Sequence, residues 1–287
     1  MHIGFSKERI LKKYKTTYEE EYKVDINDKV NWTESMDFDM EYSGDEITTI
    51  RKADPIDNSD TYSNIMEKID TVFDEVTYLL DKKGAPSRIK NIYEIQNRWS
   101  ETRKSIKLKD KNNKIVDLIL GLGGIVENEE ALLNLLKRYC IVPYLFTGFY
   151  NKNLERNEQH KIESMVYNIF PLDDIPVVYI LDGEETENGD KKINFVGKES
   201  HKFDRFQFMD RIENRVTRKL DPVTRNFNMR LDGHYLFHRD NTLKEMSLEI
   251  KISITQLFYY RCKYVVTERE DNEIIPEIKE SDVNDEV

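Results

Sequence analysis

The 287-residue chain carries 44 Lys and Arg against 55 Asp and Glu, a formal charge of −11, with 38% hydrophobic and 34% charged residues. That length can bury one large core or two modest ones, and the acidic balance disfavours non-specific binding to nucleic acid or to an anionic membrane surface. Sixteen Tyr and thirteen Phe suit a β-rich interior, where flat rings pack on a pleated face.

The N-terminal "MHIGFSKERILKKYK" has neither the apolar core nor the small-residue cleavage site of a secretory signal, so a cytoplasmic location is expected. From Tyr14, strict alternation begins. Tyr14, Thr16, Tyr18, Glu20, Tyr22, Val24 and Ile26 share one parity, and after Asn27-Asp28-Lys29 the pattern resumes with Val30, Trp32, Glu34, Met36, Phe38, Met40 and Tyr42. Successive side chains in a strand point to opposite faces, so this is a long antiparallel hairpin with one buried face. Pairing Ile26 with Val30 makes Glu20 and Glu34 diagonal neighbours on the otherwise apolar face. Such a pair fits an acid and base in a cavity, or two carboxylates at a wet rim. Asp37, Asp39 and Glu41 occupy the other face, with the spacing of a solvated surface.

Helical spacing through Tyr62, Ile65, Met66, Ile69 and Phe73 predicts a helix at about 60–73. "EVTYLLDKKGAPSRIKN" reads as strand, turn and strand around Gly84 and Pro86. Asn91 and Glu94 resemble a capping box opening a helix with Ile95, Trp99, Thr102 and Ile106 on one stripe. Further helices are predicted at about 113–121 and 128–150, with "GLGG" (121–124) as the cap and loop between them. That glycine run lacks the pattern of a dinucleotide or phosphate loop, and no cofactor is expected. The apolar "ALLNLLKRYCIVPYLFTGFY" holds Lys137, Arg138 and Pro143, which argues against a membrane span. Cys140 and Cys262 lie in apolar runs without metal-ligand spacing, so both read as buried free thiols.

Strands are predicted near 161–170, 175–182 and 191–198, and a helix near 203–219. In the last region, Phe227, Met229, Leu231, Gly233, Tyr235 and Phe237 form one apolar set, and Met246 to Val266 another. A two-residue turn at Asp240-Asn241 sets Tyr235 opposite Met246, Leu231 opposite Ile250 and Phe227 opposite Ile254, which brings the apolar faces together. The second set reads as a strand of some 20 residues that must bend or bulge, hence a strongly curved sheet. The predicted architecture is α+β: a long, curved antiparallel half-barrel in one domain over 1–270, with a helical insert at about 93–150 on the concave side. An acidic tail, 271–287, follows.

Two constellations in "RLDGHYLFHRDNTLKEMSLEIK" fit catalysis. His234 and His238 are four apart, which chelates a metal on a helix, but in a strand that spacing spans roughly 13 Å. Asp232, opposite Glu249, with Lys251 beside it, has the outline of an Asp…Glu-x-Lys nuclease hairpin, in which carboxylates hold Mg²⁺ and Lys positions water. Opposite charges across strands are also ordinary surface pairing.

The hairpin "YKTTYEEEYKVDINDKVNWTESMDFDMEY", the strand-turn-helix "VTYLLDKKGAPSRIKNIYEIQNRW" and the final hairpin together resemble the lipoprotein-carrier (LolA/LolB-like) half-barrel family. The strand-Gly-"NIYEI…W" arrangement is also similar to uncharacterised bacterial proteins, some found in contractile (type VI-like) secretion loci. The resemblance implies long curved strands with helices plugging the concave side. The chain departs from the periplasmic carriers in its missing signal and its larger helical insert. The leading expectation is a non-enzymatic cytoplasmic binding protein (adaptor, chaperone or immunity-type) with a protein partner. Its groove would involve Tyr18, Glu20, Trp32, Glu34, Phe38 and Ile252, filled by a helix near 128–142 through Leu132, Leu135, Leu136 and Tyr139. The alternatives are a carrier of a hydrophobic small molecule or lipid, in which that groove is open, and a metal-dependent hydrolase using Asp232, Glu249 and Lys251.

Overall fold

A computed structural model describes residues 1–24, 28–52, 62–106, 113–138, 142–146, 148–154, 159–170, 173–216, 225–255 and 257–269. Ile26, Tyr139, Cys140 and the tail 271–287, for which expectations are given above, lie outside these residues. In chain order the elements are β1 (Ile10–Val24), β2 (Asp28–Ser43), β3 (Glu46–Arg51), α1 (Tyr62–Asp70), β4 (Glu75–Leu80), β5 (Pro86–Ile89) and α2 (Ile92–Ser105). Then come α3 (Asn113–Val126), α4 (Glu129–Leu136), α5 (Val142–Leu145), β6 (His160–Phe170), β7 (Asp173–Glu185), β8 (Lys191–Glu199), α6 (Arg205–Val216), β9 (Phe227–Phe237), β10 (Leu243–Ile254) and β11 (Phe258–Glu268).

The strands form one antiparallel 11-stranded sheet in the order β5-β4-β3-β2-β1-β11-β10-β9-β8-β7-β6. It is open and curved like a half-barrel, and the class is α+β as the alternation implied. The order has a direct consequence. Strands β5 and β6 are the two outer edges of the sheet, yet they are successive in sequence. Their connection therefore has to travel from one edge to the other, and α2 to α5 are that connection. The helical insert is what spans the mouth of the half-barrel.

The final hairpin has the predicted register: Tyr235 faces Met246, Leu231 faces Ile250 and Phe227 faces Ile254. The turn is wider than the two residues expected, joining Phe237 to Leu243 with a register shift between Leu243 and Glu245. Asn241 in the turn has φ 69°, the left-handed conformation that Asn tolerates. Two further expectations are corrected. In the first hairpin Tyr22, not Ile26, faces Val30. Alternation assigns faces but is unchanged when one strand slides by an even number of residues. The 20-residue strand is in fact two strands, for the chain reverses after Ile254 and Phe258 pairs back onto it. Ile254 and Phe258 share parity, so a reversal between them leaves the apolar alternation intact and invisible. Thr255, at φ 43°, marks the turn.

Helix α3 runs through Gly121–Gly124, where a loop was expected. Ile119 and Val126 are buried and Leu122 and Ile125 packed, and that apolar packing outweighs the glycine cost of about 1 kcal/mol each. The expected capping box at Asn91 is also absent. Its side chain is spent on β4, accepting from Thr77 N at 2.9 Å and donating to Glu75 O at 3.1 Å.

The concave face is filled, but not chiefly by residues 128–142. Helix α4 buries Leu132, Leu133 and Leu136 and packs on β5 and α3. The segment that follows reaches across the sheet. Tyr144 packs tilted at 5.1 Å against Tyr264 of β11, Phe146 lies 5.6 Å from Tyr78 of β4, and Phe149 lies 4.8 Å from Tyr235 of β9. Tyr235 also donates its hydroxyl to Tyr144 O at 2.6 Å. At one end α6 adds Phe208 against Phe227 at 5.8 Å. The plug is an aromatic strap because rings reach further than aliphatic side chains across a curved sheet.

The convex face is laced with ion pairs. Asp37 meets Arg269 at 2.8 Å, Asp39 meets Lys52 at 3.1 Å and Glu41 meets Arg9 at 2.6 Å. Asp39 is consequently buried, at 8% exposure, and not solvated as its position implied. At the rim of the concave side, Glu268 accepts from Lys12 at 2.7 Å and from His238. Desolvation raises its pKa, but the bonds and charges of His238 and Lys12 outweigh this and hold it below its usual 4.5. A depressed folded-state pKa adds stability above the unfolded value and loses it as pH falls through the folded value. Glu268→Gln is therefore expected to lower stability at neutral pH. The difference from wild type should shrink as pH falls below 4.5 and close only below the depressed folded value, as read by urea melts across pH.

Candidate functional site

Alternation puts Tyr18, Glu20, Trp32, Glu34, Phe38 and Ile252 on one face, and the structure keeps them there while dividing them into three groups. Phe38 and Ile252 are core, 3% and 1% exposed. Tyr18 and Glu20 are half-buried, and Trp32 and Glu34 are exposed. The division follows from strand length. Strands β1 and β2 run 15 and 16 residues, but β3 pairs only with Phe38–Ser43 of β2. The Val30–Met36 half of β2 thus has β1 on one side and no described strand on the other. Val30 is 58% and Trp32 57% exposed there.

Behind this projecting edge lies a phenol-rich wall. Glu20 pairs with Trp32 on one side and Cys262 on the other, while Tyr18 pairs with Glu34 and Tyr264. Tyr18 and Tyr264 stack at 4.7 Å, and Tyr22 meets Phe258 edge-on at 5.7 Å. Burial first, then the neighbouring Cys262 and Glu20 charges, push the Tyr18 phenol well above its usual range. Burial pushes the Cys262 thiol up to about 12. At neutral pH the wall is therefore a set of neutral hydroxyl and thiol groups, with the Glu20 side chain beside them. Glu20 and Glu34 remain diagonal neighbours, since Glu34 sits one pair beyond Trp32. Glu34 is in water, however, which is the wet-rim arrangement and not an enclosed pair.

The hairpin with a nuclease outline has the predicted pairing, Asp232 opposite Glu249 and Arg230 opposite Lys251. Its carboxylates are already engaged. Glu249 accepts from Lys251 at 2.6 Å and from Arg261 at 2.7 Å, and Asp232 from Arg230 at 2.6 Å. Desolvation raises the Glu249 pKa, but Lys251 and Arg261 outweigh it and hold the carboxylate below its usual value. Lys251 is bound to the carboxylate instead of standing free to position a water. His234 and His238 do not converge: His234 meets Glu245 at 2.9 Å and His238 meets Glu268. Among the described residues no group of three or more His, Cys, Asp or Glu is placed to hold a metal ion. Asp232 and Glu249 are part-buried, more covered than a bare hairpin face would be. Their cationic partners still reach water, so Asp232→Ala and Glu249→Ala should each cost about 1 kcal/mol or less in a denaturant melt.

Sequence reading missed two features. One is the exposure of Val30 and Trp32, which parity alone assigned to the interior. The other is a cleft of about 500 Å³ whose lining runs from Lys83 to Tyr167. No local pattern marks it, because its residues meet only where the two ends of the sheet approach the insert.

No described helix is long and apolar enough to cross a membrane. No family model matches the chain, and no curated protein matches it in sequence. Among solved structures, a chain titled "Lipid-protein interactions in lipovitellin" superposes with a TM-score of 0.47 at 8% identity, covering 94% of this chain and 26% of that one. This chain thus spans about a quarter of that neighbour's length.

Proposed function

We propose that the protein is a non-enzymatic binding protein, of the adaptor, chaperone or immunity type, that engages a protein partner along the projecting half of β2. One observation carries this reading: Trp32 and Val30 stand more than half exposed on an edge whose outer backbone groups have no described partner strand. An edge strand offers a row of free N–H and C=O groups to an extended segment, with alternate side chains reading its sequence. Trp is the residue most often found as an interface anchor. The acidic Glu20 and Glu34 beside it favour a partner segment carrying Lys or Arg among apolar residues. The carrier alternative calls for an open apolar groove, and the aromatic strap of Tyr144, Phe146 and Phe149 occupies that position instead.

The test is affinity capture on immobilised full-length protein, with Trp32→Asp alongside wild type. Trp32 is exposed, so the variant should keep the wild-type circular dichroism. A specific partner should bind wild type and bind the variant about tenfold or more weakly, the loss of one anchor residue. A partner held equally by both proteins would place recognition elsewhere. Native mass spectrometry that finds most freshly purified molecules carrying an uncharged apolar adduct would favour the carrier.

A further inference from the structure

The cleft of about 500 Å³ lies where the two edges of the sheet come closest to the insert, and its charge is unlike that of the chain as a whole. Four lysines line it, one from each structural source: Lys83 from the β4–β5 turn, Lys137 from the end of α4, Lys152 from the strap and Lys161 from β6. Among the described residues none of the four forms an ion pair. The carboxylate in the wall, Glu163, is held by Lys202 at 2.6 Å. Four cations around one opening, with no ion-pair partner among the described residues and in a chain of net charge −11, repel one another unless an anion joins them. Burial, and then the charge of Lys83, lower the pKa of Lys152. The second cause marks Lys83 and Lys152 as ammonium groups close enough to repel each other.

The walls below the lysines are of another kind. Val142, Phe146 and Met165 line the cleft, Phe146 being 6% exposed. The volume is within the range of small-molecule sites, which are mostly apolar with a few polar groups that fix orientation. The mouth is held in shape by the β4–β5 turn. A Cβ on Gly84, at φ +80°, would stand 2.3 Å from the Tyr150 ring, and Asn151 donates to Lys82 O at 2.9 Å. Lys83 is thereby carried against the strap that bears Lys152.

We propose that this cleft binds a small amphipathic anion, its carboxylate or phosphate head between Lys83 and Lys152 and its apolar body against Val142, Phe146 and Met165. Both head types present oxygens that accept from lysine, so the shared chemistry is a negatively charged oxygen group on an apolar body. The site is separate from the β2 edge and does not rest on the protein-binding reading.

The experiment is calorimetric titration of the full chain with decanoate and with decyl phosphate, each kept below its micellar concentration. Decyltrimethylammonium, acetate and inorganic phosphate serve as comparisons. Decanoate, decyl phosphate or both should bind. The cation with the same tail, and the head groups alone, should not. The one that binds tells a fatty-acid-like head from a phospholipid-like one. Lys83→Ala with Lys152→Ala should weaken binding by about tenfold or more, while Lys83→Arg with Lys152→Arg should retain it. Both lysines reach solvent, so these variants should fold as wild type does. Trp32→Asp should leave the titration unchanged, which separates failure here from failure of the edge-strand reading. Equal binding of decyltrimethylammonium, undiminished binding by the alanine variant, or no binding of either anion overturns the proposal.

Discussion

Gly233→Ala is expected to be the most damaging single-methyl change in the sheet, with a loss of about 3 kcal/mol, at the upper end of the overpacking range. Gly233 lies mid-strand in β9, opposite Leu248 of β10 and Phe195 of β8. A Cβ there would stand 2.1 Å from the Ser247 carbonyl oxygen and 2.5 Å from the Phe195 ring. A ring can tilt, but the carbonyl belongs to the neighbouring strand and moves only if the ladder opens. Glycine in a strand marks such a close approach. Thermal and urea melts of Gly233→Ala should show a lowered midpoint. A variant as stable as wild type would mean that β9 and β10 are further apart than described.

Phe38→Ala should cost roughly 3–5 kcal/mol. Phe38 is 3% exposed and stacks on Tyr14 with ring centroids 5.3 Å apart. Tyr14 is itself pinned, its hydroxyl donating to Leu243 O at 2.6 Å and lying 2.9 Å from the Tyr42 hydroxyl. Removing the Phe38 ring therefore leaves a void whose walls cannot close, and the cost of a core truncation grows with the cavity that remains. Trp32→Ala, three same-face pairs towards the projecting end, should change stability by only about 0.5 kcal/mol, because its ring is already in water. A small loss at Phe38 would indicate an open concave face and would favour the carrier. The contrast between these two aromatic residues separates core from binding edge in one denaturation series.

The difference between Phe38 and Trp32 also shows where sequence reading stops. Both share the parity of the inner face, and period-two alternation says only which side of the sheet a residue takes. Whether that side is covered depends on how far β3 and the strap extend, and neither is encoded near residue 32. Exposure of the β2 edge is thus a property of strand lengths compared across the fold. The same holds for the lysine cleft. Lys83 and Lys161 are remote in sequence, and their meeting follows from the strand order that makes β5 and β6 opposite edges.

Local rules were readable along the chain: the faces of β1, β2, β9 and β10, the α+β class, and the register of the β9–β10 hairpin. That register was legible because the coincidence of two apolar faces near a turn admits one pairing, even though the turn itself is wider than two residues. The β1–β2 register and the reversal between Ile254 and Phe258 were not legible, since an even slide and a parity-preserving turn leave the alternation unchanged. That β11 pairs with β1, joining the two halves of the chain into one sheet, follows from long-range packing. The same packing makes the connection between the outermost strands cross the mouth. Those outcomes rest on long-range burial, where the net apolar area removed from water is weighed over the whole chain, and no window of sequence contains that sum.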